Sequence, residues 1–86
     1  NETCDFECSI VGRCCESGDI IQEHVKVPAS VGRNDIVAVC TTGAYNYSMA
    51  SNYNRVARPA LVMLSNGEDY VAVRRESLED ICRNDI

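Results

Sequence analysis

Two short runs of this chain concentrate side chains that can transfer protons or bind charged groups. The first is Cys15-Glu16-Ser17-Gly18-Asp19, in which a thiol lies beside a carboxylate and a glycine marks a turn. A thiol can donate a proton and the neighbouring carboxylate can bind a cation. Gly18 permits a positive φ, which would hold both groups on a protruding loop. A plain surface turn with an exposed thiol would also produce this pattern.

The second run is Gly43-Ala44-Tyr45, which follows an apolar segment. A tyrosine hydroxyl at the end of a strand can donate a hydrogen bond to a phosphate or a carboxylate, and Gly43 lets another group approach. A rim aromatic that packs on a sheet would show the same sequence. The polar run Ser48-Met49-Ala50-Ser51-Asn52-Tyr53-Asn54 comes next.

Composition limits the classes of partner. The chain has 86 residues, enough for one domain at most, and a net charge of −5. That charge disfavours nucleic-acid binding, because no basic stripe exists to displace counterions from phosphates. No apolar run approaches the roughly 20 residues needed to span a bilayer. The chain opens with Asn1-Glu2-Thr3, without an initiator Met or a signal-peptide pattern, and we expect it to be an excised piece.

The six cysteines allow two interpretations. An even number in a short secreted chain is typical of a disulfide-rich binding module, and the sequons at Asn1 and Asn46 slightly favour it. Apolar runs such as 36–39 and 60–64 instead favour a packed cytoplasmic domain with reduced thiols. Cys40 and Cys82 lie in apolar segments and are predicted to be small core residues.

The cysteine spacing does not favour a metal site. Zinc sites usually present paired Cys-x-x-Cys ligands, whereas Cys4 and Cys8 are separated by three residues and Cys14 adjoins Cys15. The single histidine, His24, lies in an alternating segment and is predicted to be an exposed strand residue.

The pattern of apolar and turn residues predicts a mostly β fold, an antiparallel barrel or sandwich with a short terminal helix. Asn66-Gly67 is a strong hairpin signal, and Leu78, Ile81 and Cys82 form one apolar stripe on a helix. The segment from Gly43 to Arg58 is predicted to be a polar loop with one helical turn near Met49. The predicted strands run from Phe6 to Val11, Ile20 to Val27, Asp35 to Thr42, Pro59 to Leu64 and Asp69 to Arg74.

Taken together, these residues resemble the carboxyl-terminal domain of the diaminopimelate decarboxylase family, pyridoxal-phosphate decarboxylases with an alanine-racemase-like fold. The resemblance runs from about Val11 to Asp80, in the same order and spacing as in the family. It implies that residues 1–86 are the C-terminal β-domain of a two-domain enzyme. The N-terminal TIM-barrel domain, whose lysine holds pyridoxal 5′-phosphate as a Schiff base, would lie outside this chain. The runs that carry the resemblance are CESGD at 15–19, GAY at 43–45, SMASNYN at 48–54, ARPALV at 57–62 and RRESLEDI at 74–81.

The resemblance also implies roles for three residues. Cys15 would be the catalytic proton donor, Glu16 would bind the distal ammonium of the substrate, and Tyr45 would bind the cofactor phosphate or the substrate. In this family the first two reach across a homodimer interface into the partner's active site, whereas the tyrosine serves its own. The implied reaction converts meso-2,6-diaminopimelate to L-lysine and CO2 in cytoplasmic lysine biosynthesis. Related ornithine-type enzymes carry a shorter acid after the cysteine, yet an ornithine- or carboxynorspermidine-type decarboxylase remains an alternative.

Some positions depart from the family pattern. Cys14 stands where an apolar residue is more usual, and Asn46-Tyr47 stands where Gly and a bulky residue are commoner. The run containing Arg55 and Arg58 is a looser version of Arg-Pro-Arg-Pro, so the roles of these two arginines stay open. We expect the chain alone to be inactive, because its only lysine, Lys26, lies in no recognisable motif.

Overall fold

The computed structural model describes residues 2–86, which form four strands, a 3₁₀ turn and one helix. The predominantly β composition with a short terminal helix confirms the predicted fold class. The packing divides into two compact units, of which the first ends at Ala38 and the second begins at Val39. In chain order the elements are β1 (Phe6–Val11), β2 (Ile20–Val27), the 3₁₀ turn (Tyr53–Arg55), β3 (Leu61–Ser65), β4 (Glu68–Val73) and α1 (Leu78–Cys82).

The first unit is built on an antiparallel pair of β1 and β2, whose bounds match the predicted strands. Cys8 is the cross-strand partner of Val25, and Phe6 is the partner of Val27. Because successive side chains of a strand alternate between faces, these residues share one face of the hairpin. Cys8, Val25 and Val27 are half-buried on it.

A bulge interrupts this ladder near its centre. Pairing steps from Cys8↔Val25 to Ile10↔Gln22, so β2 contains one more residue than β1 across this interval. The extra length is accommodated at His24, whose φ is 57°, and β-bulges characteristically include one such residue. The His24 ring is 80% exposed and its Nδ1 lies 3.3 Å from the Glu7 carboxylate. The predicted exposed strand histidine is confirmed.

The second unit contains the β3–β4 hairpin, which turns at Asn66-Gly67 as predicted. Asn66 has a φ of 51° and Gly67 has a φ of 77°. Two successive positive φ values are typical of the type I′ turn, whose twist matches that of the flanking strands.

Helix α1 begins with a capping box. The Ser77 hydroxyl accepts the Asp80 N–H at 3.2 Å, and the Asp80 carboxylate accepts the Ser77 N–H at 2.8 Å. Arg74 and Arg83 lie 3.2 Å and 2.6 Å from the same carboxylate. The hydrogen bond from the Ser77 backbone is the largest cause that lowers the pKa of Asp80 to about 2, and the Ser77 hydroxyl and Arg74 add to it.

The predicted strand from Asp35 to Thr42 is wrong, since this segment is irregular. A strand is stabilised by a ladder with a neighbour, and in residues 2–86 each sheet consists of one two-stranded pair that does not include this segment. Ile36 is 96% exposed, and Cys40 and Cys82 are exposed as well. The prediction that these two cysteines are core residues is therefore also wrong.

Residues 2–86 enclose no fully buried side chain. Apolar side chains on both hairpins are exposed, as shown by Leu64 at 79% and Phe6 at 54%. Each two-stranded sheet can cover only part of its own faces, which explains the exposure. In this part of the chain no helix combines the length and apolar character that crossing a membrane requires.

Candidate active site

Cys15 and Glu16 lie on the connection between β1 and β2, residues 12–19. Both side chains are exposed, in agreement with the protruding loop predicted from the sequence. The connection joins two paired strands, so its two ends are fixed by the hairpin ladder. Loops positioned by such a scaffold commonly carry binding and catalytic groups.

The first half of this connection is closed by Asp19. Its backbone carbonyl accepts the Gly12 N–H at 2.9 Å, and its carboxylate Oδ2 accepts the Cys14 N–H at 2.7 Å. Asp19 and Cys14 are both half-buried, in contrast to the exposed Cys15 that follows. Cys14, the residue before Cys15, is therefore held by a charge-assisted hydrogen bond.

The second half is closed by Glu16, whose carboxylate folds back over its own turn. Its Oε2 accepts the Gly18 N–H at 2.6 Å, and its carbonyl accepts the Asp19 N–H at 3.1 Å. Gly18 does not have the positive φ that we predicted. A Cβ at residue 18 would lie 2.6 Å from Glu16 Oε2, so the Glu16 carboxylate would have to shift if another residue stood there.

Tyr45 belongs to the second unit and lies in a run of hydrogen-bonded turns at 43–49, whereas the 3₁₀ turn is at Tyr53–Arg55 and not near Met49 as predicted. Its carbonyl accepts the Met49 N–H at 3.1 Å and the Ser48 hydroxyl at 2.8 Å. The backbone of the turn is thus fixed while the tyrosine residue remains 73% exposed. A phenol presented in this way can donate a hydrogen bond to an anion.

Glu76 organises the segment that follows this turn, a role that the sequence analysis missed. Its Oε1 accepts the Arg58 N–H at 2.6 Å and the Asn52 Nδ2 at 2.8 Å. The Glu76 N–H in turn donates to the Arg58 carbonyl at 3.1 Å. These bonds lower the pKa of Glu76, the Arg58 backbone contributing most and Asn52 next. The sequence signal that could have pointed to Glu76 is its place in the run at 74–81, which carries part of the family resemblance.

The two arginines left open by the sequence have structural partners. Arg55 Nη2 lies 2.5 Å from the Asp85 carboxylate, and this hydrogen bond is the largest cause that raises the pKa of Arg55. Arg55 also has a φ of 59°, a conformation that a side chain other than glycine adopts at some cost. Arg58 Nε donates to the Ala50 carbonyl at 3.0 Å. Both therefore fasten the polar segment to its surroundings in the second unit.

In residues 2–86 the structure shows neither a disulfide framework nor a cluster of metal ligands. No disulfide joins any of the six cysteines. No group of three or more His, Cys, Asp or Glu side chains in this part of the chain is arranged to hold a metal ion. Lys26 is exposed on β2, where its cross-strand partner is Glu7.

Comparison with known proteins gives a consistent result. Residues 1–43 match the family described as the pyridoxal-dependent decarboxylase, C-terminal sheet domain. Diaminopimelate decarboxylase of Bacillus subtilis (strain 168) is 49% identical over 85 residues, which are 99% of this chain and 19% of that protein. The Staphylococcus aureus (strain COL) enzyme of the same name is 46% identical over 85 residues, 99% of this chain and 20% of that protein.

A more distant organism gives the same match. Diaminopimelate decarboxylase of Mycobacterium tuberculosis (strain CDC 1551 / Oshkosh) is 47% identical over 72 residues, 84% of this chain and 16% of that protein. The chain thus spans about a fifth of the length of the Bacillus subtilis and Staphylococcus aureus relatives. The strand-rich fold, the turn at 12–19 and these matches agree, and the chain belongs to the pyridoxal-dependent decarboxylase family as part of its C-terminal sheet domain.

Proposed function

We propose that this chain is the C-terminal sheet domain of a diaminopimelate decarboxylase, which converts meso-2,6-diaminopimelate to L-lysine and CO2. The observation that carries the proposal is the 49% identity with the Bacillus subtilis enzyme of that name over 99% of this chain. The exposed Cys15-Glu16 pair lies within this span. Its position on a connection between paired strands suits a group that must reach a substrate.

Cys15 is proposed as the proton donor. When the bond between the substrate carbon and its carboxylate breaks, CO2 departs and the electron pair remains on the carbon. The Cys15 thiol gives its proton to that carbon, which forms the new C–H bond, and the thiolate recovers a proton from solvent. Pyridoxal phosphate would supply, when bound, the electron-withdrawing ring that stabilises this electron pair. A donor fixed on one side would protonate the carbon from one face.

Glu16 is proposed to bind the ammonium group at the far end of the substrate. Its Oε2 is held by the Gly18 N–H at 2.6 Å, while the side chain as a whole is exposed. The other oxygen, Oε1, accepts the Ser17 hydroxyl at 3.5 Å. A pre-positioned carboxylate loses little side-chain entropy when it binds a cation, and a substrate without the second ammonium would leave it unpaired.

Tyr45 is proposed to donate a hydrogen bond from its hydroxyl group to the cofactor phosphate or to the substrate. The exposed phenol on a hydrogen-bonded turn fits an anion, so the residues present are compatible with pyridoxal phosphate. Lys26 is a poor candidate to bind the cofactor covalently, because it is an exposed strand residue opposite Glu7. We therefore assign the covalent lysine to a barrel domain outside this chain, and we expect the chain alone to be inactive.

The same proposal includes the assembly. Cys15 and Glu16 would enter the active site of a partner subunit in a homodimer, and Tyr45 would serve the site of its own subunit. The enzyme would be cytoplasmic.

The test uses the full-length protein that contains this chain, purified with pyridoxal phosphate. We expect CO2 release from meso-2,6-diaminopimelate and far slower release from L-ornithine. Cys15→Ala should abolish most turnover, whereas Cys4→Ala, which removes another exposed thiol, should not. Preferential turnover of ornithine would assign the protein to the related decarboxylases, and full activity of Cys15→Ala would remove the proposed proton donor.

A further inference from the structure

We infer that Asp19 is a positioning residue, whose carboxylate rests against Gly12 and fixes Cys14, the residue that precedes Cys15. The inference rests on the proposed role of Cys15 as the proton donor. Asp19 is separated from Cys15 by three residues in the chain, and its carboxylate contacts the backbone N–H of Cys14, not the thiol of Cys15. Its effect on the reaction would therefore be indirect, through the direction in which the thiol points.

Three hydrogen bonds connect Asp19 to the turn. The carboxylate accepts the Cys14 N–H at 2.7 Å, and the Asp19 carbonyl accepts the Gly12 N–H at 2.9 Å. The Asp19 N–H donates to the Glu16 carbonyl at 3.1 Å. A substitution of the Asp19 side chain removes only the bond from the Cys14 N–H to the carboxylate. That bond holds Cys14, the residue directly before Cys15. Since Asp19 is half-buried, water competes for this bond less than at an exposed position.

Gly12 provides the space that the carboxylate occupies. A Cβ at residue 12 would overlap the Oδ1, Oδ2 and Cγ atoms of Asp19. The carboxylate could avoid the overlap only by moving away and giving up the Cys14 N–H. A Cβ at Gly32, in contrast, would meet nothing within 4 Å. Gly12→Ala should therefore act through Asp19, and Gly32→Ala is its matched control.

The carboxylates of Asp19 and Glu16 are held by different backbone N–H groups, which gives the inference a specific signature. Glu16 is fixed by the Gly18 N–H, a bond that does not involve the Asp19 side chain. Loss of that side chain should disturb Cys15 while leaving the Glu16 carboxylate in place. Turnover should fall with little change in KM, because the substrate ammonium still finds its partner.

The experiment is a double-mutant cycle in the full-length protein. We expect Asp19→Ala to lower kcat about tenfold, with KM changed less than about twofold, because a donor displaced by a fraction of an ångström transfers its proton less often. Asp19→Asn keeps an oxygen that can accept the Cys14 N–H and should retain most of kcat. Gly12→Ala should reproduce Asp19→Ala in the wild-type background and have almost no effect in the Asp19→Ala background, since the overlap is gone.

A second readout follows the proton rather than the rate. In heavy water the wild-type protein should place deuterium at the former carboxylate-bearing carbon in a single configuration. Asp19→Ala and Gly12→Ala should give a mixture, because a loosely held thiol no longer limits delivery to one face. Gly32→Ala should remain stereospecific. A merely destabilised protein would lose active molecules and leave the configuration of the product unchanged.

The outcomes separate this inference from the proposed function. Absence of decarboxylation in the wild-type protein, or full turnover in Cys15→Ala, would contradict the function itself. If Cys15→Ala is inactive while Asp19→Ala keeps its kcat and stereospecificity, the function stands and the positioning role is wrong. Additive losses of Gly12→Ala and Asp19→Ala in the double variant would also overturn it. Since Asp19→Asn preserves the size of the side chain, it remains informative if the alanine variant does not fold.

Discussion

Asn52 and Glu76, 24 positions apart in the chain, are joined by a hydrogen bond of 2.8 Å from Asn52 Nδ2 to Glu76 Oε1. The same Asn52 amide also donates to the Val56 carbonyl at 3.0 Å. One side chain thus links the 3₁₀ turn at 53–55 to the approach of α1. Because Glu76 also accepts the Arg58 N–H, removal of its carboxylate would leave two donors without their acceptor.

This arrangement predicts a local effect of Glu76→Ala. The segment from Ala50 to Arg58 should exchange its backbone amide hydrogens faster, roughly threefold at Arg58, because the bond that protects this amide is lost. Glu76→Gln should have a smaller effect, since its amide oxygen can still accept one of the donors. Hydrogen exchange followed by mass spectrometry checks this, with Glu79→Gln as a matched control at a neighbouring exposed carboxylate. Unchanged exchange in Glu76→Ala would contradict the anchoring role.

Cys15→Ala and Cys15→Ser provide a second prediction. Both should lower kcat of the full-length protein by about a hundredfold or more, because a methyl group has no proton to give and a hydroxyl gives its proton less readily. KM should change little, since the thiol acts only after CO2 has departed. Steady-state kinetics with diaminopimelate measures both constants. A rise in KM with kcat preserved would instead make Cys15 a binding residue.

Local sequence signals predicted much of this fold. The bounds of β1 and β2 follow from their β-prone composition and from Gly12 and Pro28, which end them. Asn66-Gly67 specified the second hairpin because few other residues adopt two positive φ values in succession. In each case the decisive information lies within a few residues of the element.

The features that sequence did not predict depend on contacts between distant residues. The apolar segment around Ile36 resembles a buried strand in composition, yet no neighbouring strand among residues 2–86 pairs with it. Glu76 stands in the sequence only as a member of the run at 74–81, whereas its bonds to Asn52 and Arg58 connect different segments. The space that Gly12 leaves for Asp19 depends on closure of the turn between them.

The capping box of α1 predicts a pH dependence. The pKa of Asp80 is lowered from 3.8 to about 2 in the folded protein. As the pH falls, Asp80 therefore takes up a proton in the unfolded protein before it does so in the folded protein. The stabilisation is complete above pH 3.8 and disappears as the pH falls through about 2. Asp80→Asn should therefore lower the thermal midpoint at pH 6 and lose its effect toward pH 2, as monitored by circular dichroism. A difference from wild type that stays constant over this range would exclude the carboxylate as the cause.

The last prediction concerns Glu16, whose carboxylate is shared between its own turn and the proposed substrate. Glu16→Gln removes the charge but keeps an oxygen that can accept the Gly18 N–H, so the turn should persist. KM for diaminopimelate should rise about tenfold or more with kcat less affected, because the ammonium is bound equally in the ground and transition states. Glu16→Asp keeps the charge and shortens the side chain, which should weaken both the Gly18 bond and the reach to the substrate. Measurement of kcat and KM for both variants at saturating cofactor distinguishes the effect of the charge from the effect of side-chain length. A fall in kcat with KM unchanged in Glu16→Gln would place this carboxylate in the proton transfer instead.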